Sequence, residues 1–292
     1  MPSTRDIRRR IKSVKNTAQI TKAMQMVAAA KMRKAQQAAL AGRPYAALLN
    51  EVLAEAAAND SGFTHPLMAT REIKKRAIIV ISTDRGLCGA LNGNLFREIA
   101  KFDKNTTVFV AAGRKASQFV ARTKRQLAAE FTYKDTPLFA EARAISKFAQ
   151  DLFLKGEVDA VDVAYTDFVS TLVQKPEITP FLPVGKIQAV SAELHGSAQK
   201  NELKPSGISY DFEPDEETTL GELLPHSLNF RIFHLLLEAK ASEHSSRMVA
   251  MKNATDNAKQ IIKDLTLEYN KLRQSNITRE LLEITTAQMA VA

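Results

Sequence analysis

The chain has 292 residues, 45% of them hydrophobic and 25% charged, enough to bury a core and too apolar for a disordered segment. A single cysteine, Cys88, excludes a disulfide framework or Cys-rich metal cluster and suits a reducing compartment, and no run of apolar residues is long enough for a membrane span. The net charge of +9 points first to nucleic acid, but residues 1–43 alone carry +10, residues 44–229 carry −3 and residues 230–292 carry +2, so one terminal segment owns the excess.

That segment opens with Met1-Pro-Ser-Thr-Arg-Asp, which lacks the apolar core of a secretory signal. From Ser3 to Ala41 it contains neither Gly nor Pro, and its apolar residues repeat at helical spacing. Ile7, Ile11, Val14 and Ala18 begin a stripe that then drifts through Ile20, Met24, Val27 and Ala28 to Met32 and Ala35, with a slip of phase. A helix of about 60 Å is expected here.

The middle of the chain alternates strand and helix. Residues 76–83 form a continuous β-branched run, the pattern of a buried and parallel strand. A loop with Gly86, Gly89 and Gly93 follows, then a helical stretch over 94–102. Further strands are expected over 106–112, 128–133 and 158–169, with helices over 115–122 and 138–154. Residues 186–225 concentrate Pro, Gly, Ser and acids and read as a loop or hairpin around 208–212.

From His226 to Ala292 Gly and Pro are again absent. Leu237, Ala241, His244, Met248, Met251, Thr255, Ala258, Ile262, Leu265, Tyr269 and Leu272 follow one another by threes and fours, a coiled-coil seam. A helix of about 100 Å overhangs any domain of this size, so it is expected to pair antiparallel with the N-terminal helix. The fold class is α/β: a long antiparallel coiled coil of N- and C-terminal helices (1–60 and 221–292) plus a central α/β, Rossmann-like domain (70–220).

No catalytic constellation appears. The glycines at 86, 89 and 93 match neither a dinucleotide loop nor a phosphate-binding loop, and a tight strand-to-helix turn accounts for them. Asp84 and Arg85 are expected to pair across that turn, and Cys88 to be structural. His65, His195, His226, His234 and His244 show no metal-ligand spacing, and there is no nucleophile elbow. The acids between 211 and 217 do not follow a calcium-loop pattern. A basic coiled coil for nucleic acid is the competing reading, but residues 1–43 hold no phenylalanine or tryptophan for stacking, nor any tyrosine.

Three stretches resemble the gamma subunit of bacterial F-type ATP synthases. They are residues 7–34 (IRRRIKSVKNTAQITKAMQMVAAAKMRK), 82–92 (STDRGLCGALN), and the pair 243–258 (EHSSRMVAMKNATDNA) and 270–280 (NKLRQSNITRE). The resemblance spans the chain. It implies a non-catalytic central-stalk rotor that couples proton flow through a membrane c-ring to catalysis on beta, with alpha, beta and epsilon subunits as partners. It implies no cofactor and no nucleic acid, and a peripheral place on the cytoplasmic face of the bacterial inner membrane. By the same resemblance Arg273 and Gln274 match catch contacts to beta, with Thr278 and Glu280 nearby on the closing helix. Met24 matches a position beside the beta lever loop, whose acids would face Lys22, Lys31 and Arg33, and Tyr210 falls where the family meets epsilon and the ring. One departure matters: Ala287-Gln288 stands where the family has Gly-Ala, which leaves the conformation of the last turn open, with a longer helix as one outcome; the absence of a cysteine pair argues against the redox-regulated chloroplast form.

Overall fold

A computed structural model describes residues 3–58, 65–184, 213 and 215–291. The elements in chain order are α1 (Thr4–Ala58), a 3-10 turn (Pro66–Met68), β1 (Arg76–Ile81), α2 (Leu91–Ile99), β2 (Thr107–Ala112), α3 (Arg114–Arg122), β3 (Gln126–Phe131), α4 (Phe139–Leu154), β4 (Ala160–Phe168), β5 (Gln174–Leu182) and α5 (Glu216–Val291). They divide into two compact units, Met1–Ala28 with Met248–Ala292, and Ala29–Arg247.

In the second unit the sheet runs β3-β2-β1-β4-β5, parallel except for the antiparallel pairing of β4 with β5. β1 sits centrally, and both of its faces are covered. Ile79 and Ile81 point into a core closed by α4 and by Leu224, Leu228, Ile232 and Leu236 of α5. Ile78 and Val80 point to the other face, against Leu95 and Ile99 of α2 and Ala116 and Val120 of α3. Burial on both faces is why this strand reads as an unbroken apolar run.

β5 is the strand that sequence patterning misses, because Pro176 and Pro180 argue against one. As the outer antiparallel strand it tolerates both: they lie opposite Thr166 and Asp162 of β4, and a proline at an edge need not remove a ladder bond. The long helices likewise ignore their breakers. α1 passes through Gly42 and Pro44, and α5 begins ten residues before His226, taking in Gly221 and Pro225. The buried series Leu220, Leu224, Leu228 and Ile232 holds that first part of α5 on the sheet, so packing overrides propensity there.

The first unit is an antiparallel helix pair. Thr21 Oγ1 and Thr255 Oγ1 are hydrogen-bonded at 2.7 Å, and the Arg8 guanidinium donates to the Tyr269 hydroxyl while lying 5.3 Å from that ring's centre. The α5 seam is buried or half-buried at every expected position and extends to Asn276. On α1 the phase does not slip: Ile20 and Val27 are more than half exposed, and Thr21 with Gln25 continues the spacing of Ile7, Ile11, Val14 and Ala18 into Ala28, Met32 and Ala35. The seam was disguised by polar residues at two of its positions. With Arg8 beside Tyr269, α1 begins near residue 274 of α5, so among the described residues the last turns of α5 run on without a partner helix. α5 continues through Ala287-Gln288 to Val291.

Candidate functional site

The loop after β1 holds no reactive group, and it organises its surroundings. Its first three residues satisfy the start of α3, whose Gly113 cap offers no side chain. Asp84 Oδ1 accepts the Arg114 N–H at 2.9 Å, the Thr83 carbonyl accepts that of Lys115 at 3.1 Å, and Ser82 Oγ accepts that of Ala116 at 2.8 Å. Asp84 is thus a cap for a neighbouring helix, and among the described residues it forms no ion pair with Arg85. Asn92 Nδ2 donates to Thr83 Oγ1 at 2.7 Å and reaches the Cys88 sulfur at 3.4 Å, closing the loop on itself. Cys88 is buried, and burial pushes its thiol up, away from the reactive thiolate.

The second half of the loop binds α5. Ser246 Oγ donates to the Cys88 carbonyl at 2.7 Å, and Arg247 Nη2 donates to the carbonyls of Arg85 (3.4 Å) and Gly86 (3.3 Å). Gly89 and Leu87 both take left-handed backbone there, at φ +59° and +62°. The loop reads correctly as a turn from sequence. Its purpose does not, because its partners are some 30 residues away on α3 and some 160 away on α5.

Beside this clasp lies a chain of charges, half-exposed at Lys31 and Asp135 and buried at Lys240 and Glu243. Lys31 Nζ of α1 contacts Asp135 at 2.5 Å, Asp135 faces Lys240 at 3.8 Å, Lys240 contacts Glu243 at 2.9 Å and Glu243 contacts Arg247 at 2.8 Å. The Lys240 ammonium is also 4.6 Å from the centre of the Tyr133 ring, whose hydroxyl donates to the Ser82 carbonyl at 2.9 Å. The hydrogen bond from Lys31 holds Asp135 below the usual carboxylate range. Burial pushes the neighbouring His244 imidazole down to about 4, and Arg247 and Lys240 oppose its protonation further, against Glu243 and Asp135. Folded His244 is therefore neutral where an unfolded histidine would take up a proton. Stability should be intact above pH 6.5 and decline as pH falls from about 6.5 to about 4, since the unfolded state binds the extra proton there. Melting temperature followed by circular dichroism over that range checks this. His244→Gln should flatten most of the slope, leaving a smaller share to His65, which burial lowers as well. An unchanged slope in His244→Gln would refute the assignment.

The residues singled out from sequence are placed as follows. Lys22 is exposed and Met24 half-buried on α1, where Lys22 Nζ reaches Gln25 Oε1 at 3.4 Å. Arg33 is exposed, whereas Lys31 is held by Asp135 and so presents a partly neutralised charge. Arg273, Gln274, Thr278 and Glu280 are all exposed on α5. At about 100° per residue they form two faces: Gln274 and Thr278 point away from the seam, while Arg273 and Glu280 flank it. Thr278 Oγ1 donates back to the Gln274 carbonyl at 3.0 Å. Beyond them Ile277, Leu281, Leu282, Ile284 and Met289 are exposed, the last at 83%. Tyr210 lies outside the described residues. Among the described residues no His, Cys, Asp and Glu cluster could hold a metal, and no helix is long and apolar enough to cross a membrane.

With this geometry in view, known proteins supply close likenesses. The family model described as ATP synthase matches residues 3–291. The ATP synthase gamma chain of Opitutus terrae is 50% identical over 294 residues, covering all of both chains, and that of Methylacidiphilum infernorum is 46% identical over 296, again covering all of both. A chain of the Euglena gracilis mitochondrial ATP synthase (OSCP/F1/c-ring, rotational state 3) superposes with a TM-score of 0.70 at 20% identity, covering 99% of this chain and 94% of that one, a likeness of fold.

Proposed function

The chain belongs to the ATP synthase gamma chain family and has the central-stalk rotor function of an F-type enzyme; on that premise we propose that it turns within a hexamer of alternating alpha and beta subunits. It stands, with an epsilon subunit, on a membrane c-ring at the cytoplasmic face of a bacterial inner membrane. Chemistry belongs to beta, and this chain contributes torque and asymmetry, with residues 1–60 and 221–292 as the shaft and 70–220 as the domain it carries. Arg273 and Gln274 form the catch to beta, assisted by Thr278 and Glu280. Met24 lies beside the beta lever loop, Lys22 and Arg33 face its acids with Lys31 contributing less, and Tyr210 meets epsilon and the ring.

One observation carries this reading: past residue 276 α5 continues to Val291 with Ile277, Leu281, Leu282, Ile284 and Met289 exposed. A lone helix of that length is marginal in water, and such a surface marks a site that another protein covers. The uncharged stretch after Glu283 suits an apolar collar in which a shaft can turn without directional bonds.

The test is co-purification with alpha and beta, followed by ATP hydrolysis and ATP-driven proton pumping in membranes containing the ring. An assembly that stays fully coupled without this chain would refute the reading. Arg273→Ala should leave the fold within about 0.5 kcal/mol, because the side chain is exposed, yet cut coupled turnover about tenfold by removing a charged hydrogen bond. Unchanged turnover and pumping would remove Arg273 from the catch. Reversing Lys22 and Arg33 to Glu should slow assembly at low salt by roughly tenfold and matter little at high salt, where exposed charges are screened. Assembly rates that ignore both the reversal and the salt would remove the charge-matching role.

A further inference from the structure

We infer that the charge chain from Lys31 through Asp135, Lys240 and Glu243 to Arg247, half-exposed at Lys31 and Asp135 and buried on α5, is a register lock: it fixes the rotational setting of α5 against α1 and the loop after β1, so that torque on one is carried by the others. The inference rests on the rotor reading and adds a task to five residues, of which only Lys31 also belongs to the proposed stator contacts.

Ion pairs withdrawn from water recover little more than their desolvation cost, and apolar side chains of similar volume hold an interface at least as well. Yet Lys240 and Glu243 keep only 2% and 5% of their side-chain surface, in a unit that packs Leu228, Ile232 and Leu236 on the same helix. Apolar contact is non-directional, so a smooth helix can turn or slide on a sheet for little loss. Hydrogen bonds and ion pairs depend on distance and angle, so a small rotation breaks them together.

The geometry supplies what a lock needs. Three separate stretches are tied to two successive turns of one helix: α1 through Lys31 and Asp135, the loop 82–89 through Arg247 on the carbonyls of Arg85 and Gly86 and through Ser246 on that of Cys88, and the segment after β3 through Asp135 itself. Lys240, Glu243 and Arg247 are spaced i, i+3 and i+7, one face of α5, so they meet these anchors side by side. All of it lies within the compact unit Ala29–Arg247.

The test uses the chain assembled in its complex. The double variant Lys240→Met with Glu243→Leu removes the lock and keeps volume. Asp135→Asn, at a half-exposed position, opens the anchors to α1 and to the segment after β3, leaves Lys240, Glu243, Arg247 and the loop contacts in place, and spares the fold. The lock predicts that the double variant's melting temperature stays within about 3 °C of wild type or rises. Protons pumped per ATP hydrolysed should nevertheless fall roughly twofold or more, with Asp135→Asn showing a smaller fall in the same direction. Full coupling in both variants would overturn the lock. Loss of coupling only in step with loss of melting temperature would overturn it too, making the network a plain stability element, and Asp135→Asn decides the matter if the double variant fails to fold. A wild-type chain that supported no coupled pumping at all would instead fail the rotor reading itself.

Discussion

Gly113→Ala is expected to destabilise the α/β layers by about 3 kcal/mol or more, a large share of a domain's margin. Gly113 joins β2 to α3 at φ +105°, a conformation that costs a residue with a Cβ roughly 1–3 kcal/mol. A Cβ there would also stand 2.3 Å from the Ser82 carbonyl oxygen and 3.0 Å from its carbon, both backbone atoms of the strand end next door. Neither neighbour can yield. Ser82 N–H donates to the Ala112 carbonyl, the Ser82 carbonyl accepts the Tyr133 hydroxyl, and the Gly113 N–H donates to Phe131, so a shift at this crossing loosens three strand ends and the cap of α3. Urea denaturation of the purified chain checks the size of the loss, and a co-purification yield with alpha and beta checks its consequence. A loss under about 1 kcal/mol would show that the crossing relaxes and that close approach is not what holds a glycine at this position.

How much of this was legible depended on where each residue's partners lie in the chain. β1 announces itself because both faces are buried and every position after Arg76 is apolar. The α5 seam is nearly as plain, since His244 and Thr255 are its only polar members down to Met251 and Ala258. On α1 the same spacing is present, but Thr21 is held in it by a hydroxyl on the other helix, and reading apolar residues alone moves the stripe to Ile20 and Val27. β5 is obscured by prolines that only an edge position tolerates. The charge excess of residues 1–43 is visible as a count. That Lys31 belongs to an internal network is not, because Asp135 lies 104 residues away. Propensity and period are local signals, whereas caps, clasps and ion pairs between distant segments exist only once the layers have assembled.

Glu243→Ala should cost about 3 kcal/mol, clearly more than Lys240→Ala, although the two residues form one pair. The asymmetry follows from what each deletion leaves behind. Without Glu243, the ammonium of Lys240 remains almost wholly out of water, with Asp135 at 3.8 Å and the face of Tyr133 as its remaining partners. Arg247 also loses its carboxylate, but it keeps two loop carbonyls and some contact with solvent. Without Lys240, Glu243 still holds Arg247 at 2.8 Å and Asp135 still holds Lys31 at 2.5 Å, so each charge keeps its shorter contact and the loss should be nearer 1–2 kcal/mol. Removing both charges together, with apolar side chains filling the space, leaves no buried ion stranded, so the double-variant loss should fall well below the sum of the singles. A urea-denaturation cycle over the four chains measures that difference. Strict additivity would show that Lys240 and Glu243 do not act as one network, and the register lock would lose its physical basis with it.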